Sequence, residues 1–284
     1  MSDNRKHINV VWFKRDLRLQ DNEAIFNALK SNKPTLLLYV FEPSLENDGH
    51  YNQRHWDFIK QSLVDINNQL LIHNTKLLIV SSETINAFNI IQEFYKIDTV
   101  FSHQETGLKI TYERDKTFKR FCKNTMIHWE ENINNGIFRG LENRSNWVSK
   151  WEKYMTSEQF TFNPNSENLF SIEAINELES NMTMVDLNTD LNSVFQKGGT
   201  STGLKYMKTL IEKLKALRLY FVRRSYFIWN KYFRSDKVKT QNGRIYSRKQ
   251  IEKQMREYCA NQNENFGELS HPQPKEMVTT HRYQ

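Results

Sequence analysis

The sequence predicts an α/β protein built on a doubly wound, five-stranded parallel sheet, and three observations carry that prediction. Five short runs of large apolar and β-branched residues recur through the first 130 positions. The stretches between them are long enough for crossover helices, and two show apolar residues at helical spacing. The runs are apolar throughout rather than alternating, as a strand covered on both faces requires.

Taken in order, the first strand is INVVWF (8–13) and the second TLLLYVF (35–41). Between them NEAIFNALK reads as a helix, with Asp21 placed to cap it and Glu23 complementing the dipole of its first turn. A longer helix follows in residues 51–73, where Trp56, Ile59, Leu63, Ile66 and Leu70 share a face. KLLIV (76–80) is the third strand, and Ile85, Phe88, Ile91 and Phe94 mark the next helix. DTVFS (98–102) and TMIHW (125–129) complete the sheet. The expected organisation is an α/β domain over residues 1–131, a connection rich in Asn, Ser and Glu over 132–194, and a short, incomplete helical region over 195–284. Leu204, Met207, Leu210, Ile211 and Leu214 give that last region its helical spacing.

The totals bound the function. A chain of 284 residues with 18 Phe, 12 Tyr and 6 Trp has ample core material for two folded bodies. No apolar stretch is long enough to span a bilayer and none resembles a secretory leader, so the expectation is a cytoplasmic protein with no membrane partner. Cys122 and Cys259 lack metal-ligand spacing and the eight histidines form no HxxH or HxxxH pair, so no metal site is expected. Charge is divided unevenly: residues 1–194 sum to −5 and residues 195–284 to +12. The basic part, where Arg218, Arg223 and Arg224 interleave with Tyr220, Phe221, Tyr226 and Trp229, suits an anionic polymer such as DNA. GGTSTG (198–203) lacks the phosphate-loop lysine and reads as a helix start. Trp147 and Trp151, four apart, read as packing.

Five charged residues, Lys14, Arg15, Asp16, Arg18 and Asp21, crowd the turn after the first strand. In a doubly wound sheet ligands sit beyond the carboxyl ends of the strands, so this loop faces the place where a cleft opens. A purely structural alternative is that these charges pair among themselves and hold the turn.

The stretch VVWFKRDLRLQDNEAI resembles the first strand and loop of the DNA photolyase and cryptochrome family. VFSHQETGLKITYERDKTFKRFC resembles the family's fourth strand, its ligand-facing loop and the helix that carries Glu113, Arg114 and Asp115. NGIFRGLENRSNWVSKWEKYM resembles the family's connection, and FQKGGTSTGLKYMKTLI the segment that opens its helical domain. The resemblance covers residues 7–215. It implies an α/β domain with an antenna chromophore of folate or deazaflavin type, bounded by Arg15 and Asp16, by Phe41 and Glu42, and by Gln104 and Glu105. It also implies a helical domain holding FAD, whose light-driven chemistry is deoxyribodipyrimidine photo-lyase activity, a carbon–carbon lyase reaction, or blue-light signalling.

After Lys215 the resemblance stops. The phosphate-binding Thr-Ser donors, the flavin-binding asparagine and the late tryptophans of the family have no counterparts. In such enzymes the cofactor performs the chemistry and the protein binds and tunes it. The expectation is therefore an incomplete FAD site, no catalytic residue, and a truncated or frameshifted relative, or a free-standing antenna-type domain, that repairs no DNA alone. The other reading is a non-catalytic nucleotide- or chromophore-binding module with a basic nucleic-acid-binding tail. The sequence leaves the oligomeric state open.

Overall fold

The computed structural model describes residues 4–164, 168–189, 195–214, 237–239, 245–247 and 253. The chain forms two compact units, Met1–Lys205 and Tyr206–Gln284. In the first, β1 (Lys6–Phe13), β2 (Thr35–Phe41), β3 (Leu78–Ser81), β4 (Tyr95–His103) and β5 (His128–Asn132) form one sheet in the order β3-β2-β1-β4-β5. All four pairings are parallel. Helices α1 (Glu23–Lys30), α2 (Pro43–Glu46), α3 (Gln53–Leu70), α4 (Thr84–Phe94) and α5 (Lys109–Asn124) connect the strands.

Alternate residues of β1 to β4 feed two cores, which is why these strands read as largely apolar. Ile8, Val10 and Trp12 of β1 face Phe88 and Ile91 of α4 and Phe118 of α5. Val11 and Phe13 face Ile25 of α1 and Leu63 and Ile66 of α3. Trp12, fully buried, packs against Phe118 with ring centroids 4.8 Å apart. Such an aromatic cluster supplies burial together with favourable tilted ring geometry.

Two local expectations are corrected. The fifth strand starts at His128, three residues after the TMIHW run begins, because Thr125 caps α5 and Met126 takes a left-handed backbone (φ 57) and points into solvent. The cap of α1 is Asn22, whose side chain accepts from Ile25 N, rather than Asp21. Asp21 is left-handed (φ 53), and its backbone N–H donates to Phe160 O at 2.7 Å.

The connection is part of the α/β body. After α6 (Trp147–Met155) the chain returns along the sheet, with Thr35 N donating to Asn168 O and Phe170 N to Thr35 O. Leu169 and Phe170 are buried, as are Ile175 and Leu178 of α7 (Ile172–Glu179). The marginal helical character of this stretch was legible; its burial was not.

A further helix, α8, is described over residues 200–214. The two glycines before it let it approach α3: Gly198 N donates to Gln61 Oε1 (2.8 Å) and Gly199 N to Ser62 Oγ (3.0 Å). A Cβ on Gly198 would lie 2.1 Å from Phe58 O, and Gly199 has φ +102. Asp65 Oδ2 accepts from Ser201 N at 3.2 Å. GGTSTG is thus a helix start docked on α3, as its sequence suggests. In the second unit, β6 (Lys237–Lys239) pairs antiparallel with β7 (Ile245–Ser247).

Candidate functional site

The strand order reverses between β1 and β4, and the loops after these strands diverge there. A cleft of about 720 Å³ opens at this end of the sheet, on the β1–β2 side. That volume is in the range of small-molecule sites. Trp12 and Lys14 of β1 and its loop, Tyr39 and Glu42 of β2, Tyr51 and Trp56 at the start of α3, and Arg114 of α5 line it. Thr200, at the start of α8, closes one side.

The wall is aromatic where α3 begins. Asn52 caps α3 through Arg54 N, and His55 Nδ1 accepts from Asn52 N in return (3.0 Å), a reciprocal capping box. This fixes the first turn and aims Trp56 at the cleft. Tyr51 stacks on Trp56 with centroids 4.7 Å apart and ring planes 23° from parallel.

The floor is ionic and balanced. Arg114 donates to Glu42 Oε1 (2.7 Å), to Asp115 Oδ1 (2.9 Å) and to Glu105 Oε2 (3.4 Å). Lys14 Nζ reaches Asp115 Oδ2 at 2.8 Å, and Arg15 Nε reaches Glu105 Oε1 at 2.7 Å. Three cations therefore meet three carboxylates. Burial pushes the Glu42 carboxyl above its usual range, with Arg114 opposing. Burial lowers the Lys14 ammonium against the pull of Asp115. It also works against the charge of Arg114, yet Glu42 and Asp115 outweigh it and hold the guanidinium firmly protonated. Lys14 and Arg114 further lie 4.8 Å from the Trp12 ring centroid, so the indole shares in neutralising them.

Of the residues expected around the cleft, Arg15, Glu42 and Glu105 line it. Asp16 turns inward: it is buried and bonded to His103 Nδ1 and to Asn22 Nδ2. Phe41 is buried behind the wall, against Tyr39 and Trp56. Gln104 turns to Arg139, whose Nε donates to its Oε1 at 3.2 Å. Arg218, Arg223 and Arg224 lie outside the described residues. Lys14, in the charged loop that the sequence places at the cleft, also lines it, whereas sequence reasoning did not assign Tyr39, Tyr51, Trp56 or Arg114 there. Arg114 carried a signal, since it adjoins Asp115 in a helix whose buried face is Thr111, Asp115, Phe118 and Cys122.

Residues 9–139 match the DNA photolyase family model. A chloroplast or mitochondrial cryptochrome DASH of Arabidopsis thaliana is 29% identical over 107 residues, covering 36% of this chain and 19% of the relative. The cryptochrome DASH of Idiomarina loihiensis is 26% identical over 187 residues, covering 63% and 40%. This chain thus spans well under half the length of either relative. Among solved structures, a Synechocystis cryptochrome superposes with a TM-score of 0.56 at 20% identity, covering 71% of this chain and 45% of that one. An archaeal photolyase from Sulfolobus tokodaii, which holds two FAD molecules, gives 0.53 at 18%, covering 70% and 45%. The fold, the cleft at its switch point and these matches converge: through residues 9–139, the chain is similar to the DNA photolyase and cryptochrome family.

Proposed function

We propose that the cleft holds a planar aromatic chromophore of the antenna class, of folate or deazaflavin type, and that the chain serves light capture within a photolyase or cryptochrome function. The observation that carries this is the stacked Tyr51–Trp56 pair facing a buried polar floor of Glu42 and Arg114. Aromatic walls take up a conjugated ring, and a few fixed polar groups orient its edge. Glu42 offers acceptors to ring N–H groups, and Arg15 offers donors to carbonyl oxygens.

The test is an absorption and fluorescence spectrum of light-protected protein from about 300 to 550 nm, with the released pigment identified by mass. The expected result is one near-ultraviolet or blue band that Trp56→Ala diminishes. A protein that is colourless as purified, and takes up neither a folate nor a deazaflavin when offered, would overturn the reading. Stoichiometric flavin with light-dependent loss of pyrimidine dimers would instead extend the function to repair.

A second reading rests on charge. The +12 of residues 195–284 favours DNA as the partner of that part of the chain. Its check is the slope of DNA affinity against salt concentration, with Arg218, Arg223 and Arg224 replaced together.

A further inference from the structure

Helix α8 divides into an apolar half and a charged half. With a turn of about 100° per residue, Leu204, Tyr206, Met207, Leu210, Ile211 and Leu214 fall within an arc of about 160°. Lys205, Lys208, Thr209, Glu212 and Lys213 fill the other side. Lys208 and Lys213 border the apolar stripe on its two opposite edges. A stripe this wide normally faces a core, as that of α1 does through Ala24, Ile25, Ala28 and Leu29. In α8 every residue of the stripe is instead exposed, from 43% at Ile211 to 57% at Tyr206.

Charge and length decide what fits such a stripe. A second copy would set lysines at both edges against their own equivalents, and from Leu204 to Leu214 the stripe is only about 15 Å long, fewer than two heptads. Helices that short do not hold two chains together by themselves. DNA would neutralise the lysines but leave the apolar half in water. A lipid surface with anionic headgroups satisfies both halves: the acyl boundary takes the apolar side chains and the headgroups meet the lysines. It demands no complementary shape and no minimum area.

We propose that α8 is an interfacial helix that lies on an anionic lipid surface, its apolar stripe in the headgroup boundary and Lys208 and Lys213 reaching out to the headgroups. The bordering lysines suit this, since their stems cover apolar surface while their ammonium groups stay in the polar layer. The helix lies on the bilayer and does not cross it: among the described residues no helix is long and apolar enough to span a membrane. Its first turn is fixed to α3, where Gln61, Ser62 and Asp65 accept from Gly198, Gly199 and Ser201, so lipid contact at α8 tethers the α/β body. A single short helix of this kind gives reversible attachment. The proposal is independent of what the cleft holds.

The test is co-sedimentation of the full chain with vesicles of phosphatidylcholine containing about 30% phosphatidylserine, against pure phosphatidylcholine. Wild type is expected to bind the anionic vesicles about tenfold or more tightly than the neutral ones. Replacing Lys208→Gln with Lys213→Gln should weaken binding by about twentyfold, near fivefold for each lysine. Leu210→Ser with Ile211→Ser should weaken it by at least about tenfold through lost apolar burial. In wild type, amide exchange over residues 204–214 should slow on adding anionic vesicles, a readout that stands even if the variants fail to fold. Indifference of wild type to anionic vesicles overturns the proposal, and so does binding that leaves exchange in α8 unchanged or that both double variants retain. Dimerisation or DNA binding abolished by Leu210→Ser with Ile211→Ser would overturn it too, assigning the stripe to a second copy or to DNA.

Discussion

Asp16 and His103 meet in a direct hydrogen bond, Oδ2 to Nδ1, with both side chains buried between the loop after β1 and the end of β4. The pair ties together the two strands at which the sheet changes direction. Burial alone would raise the Asp16 carboxyl, but the hydrogen bond and charge of His103 overcome this and lower it.

Because the folded-state pKa of Asp16 is depressed, its contribution to stability is present above the unfolded value of about 4 and is lost as pH falls through the folded value. Asp16→Asn should cost about 3 kcal/mol near neutrality, by leaving a buried partner poorly matched. The variant should also lose part of the acid dependence below about pH 4. Urea melts of both proteins across that range would show it, and parallel curves would sink the idea.

Glu42 carries the opposite sign. Its carboxyl is raised by burial, so the charged form costs stability above the folded pKa and protonation relieves that cost as pH falls toward about 4.3. On going from about pH 7.5 to 4.5, wild type should gain in melting temperature relative to Glu42→Gln. A difference that stays constant with pH would show that Arg114 neutralises Glu42 fully.

Gly198 and Gly107 should respond differently to the same methyl group. At Gly198 the added Cβ meets a backbone carbonyl, Phe58 O, which cannot yield without moving α3 or α8. Gly198→Ala should therefore cost about 1–3 kcal/mol, the usual range for overpacking, and free the start of α8. Hydrogen exchange at Gly199 and Ser201 should accelerate, and retained protection would count against the docked geometry.

At Gly107 the Cβ meets the guanidinium of Arg15, whose side chain is 49% exposed and can swing away. Gly107→Ala should cost less than about 1 kcal/mol, since surface rearrangements of this kind are cheap. It should nonetheless loosen the Arg15–Glu105 pair, which crosslinks the loops after β1 and β4. The expected signature is an unchanged melting temperature with faster exchange at Thr106 N. A large loss of stability would mean that Arg15 is held more rigidly than its exposure implies.

How much of this was legible in the sequence depends on the range of the interaction that decides each feature. β2 was readable to its ends, Thr35–Phe41, because a strand covered on both faces must be apolar at every position. β5 was misplaced because its residues, His128–Asn132, are mostly polar, while the apolar Met126 is an exposed turn residue. Four of the five residues of β5 are exposed or only half-buried, so the strand carries little hydrophobic pattern for periodicity to find.

The sequence by itself determined the order of strands and helices, the parallel sheet and the end of it at which a cleft opens, since these follow from local apolar patterning and chain connectivity. It also marked the charged loop as the cleft's border. Tertiary structure alone decided which of those charges face the cleft. Arg15 crosses to Glu105, 90 residues away, and Arg114 crosses to Glu42, 72 away. Asp16, next to Arg15 in the chain, turns inward to His103. Neighbouring positions in a tight turn point in different directions, and the partner that fixes each charge comes from a distant strand or helix, so pairing is settled only when the strands are side by side.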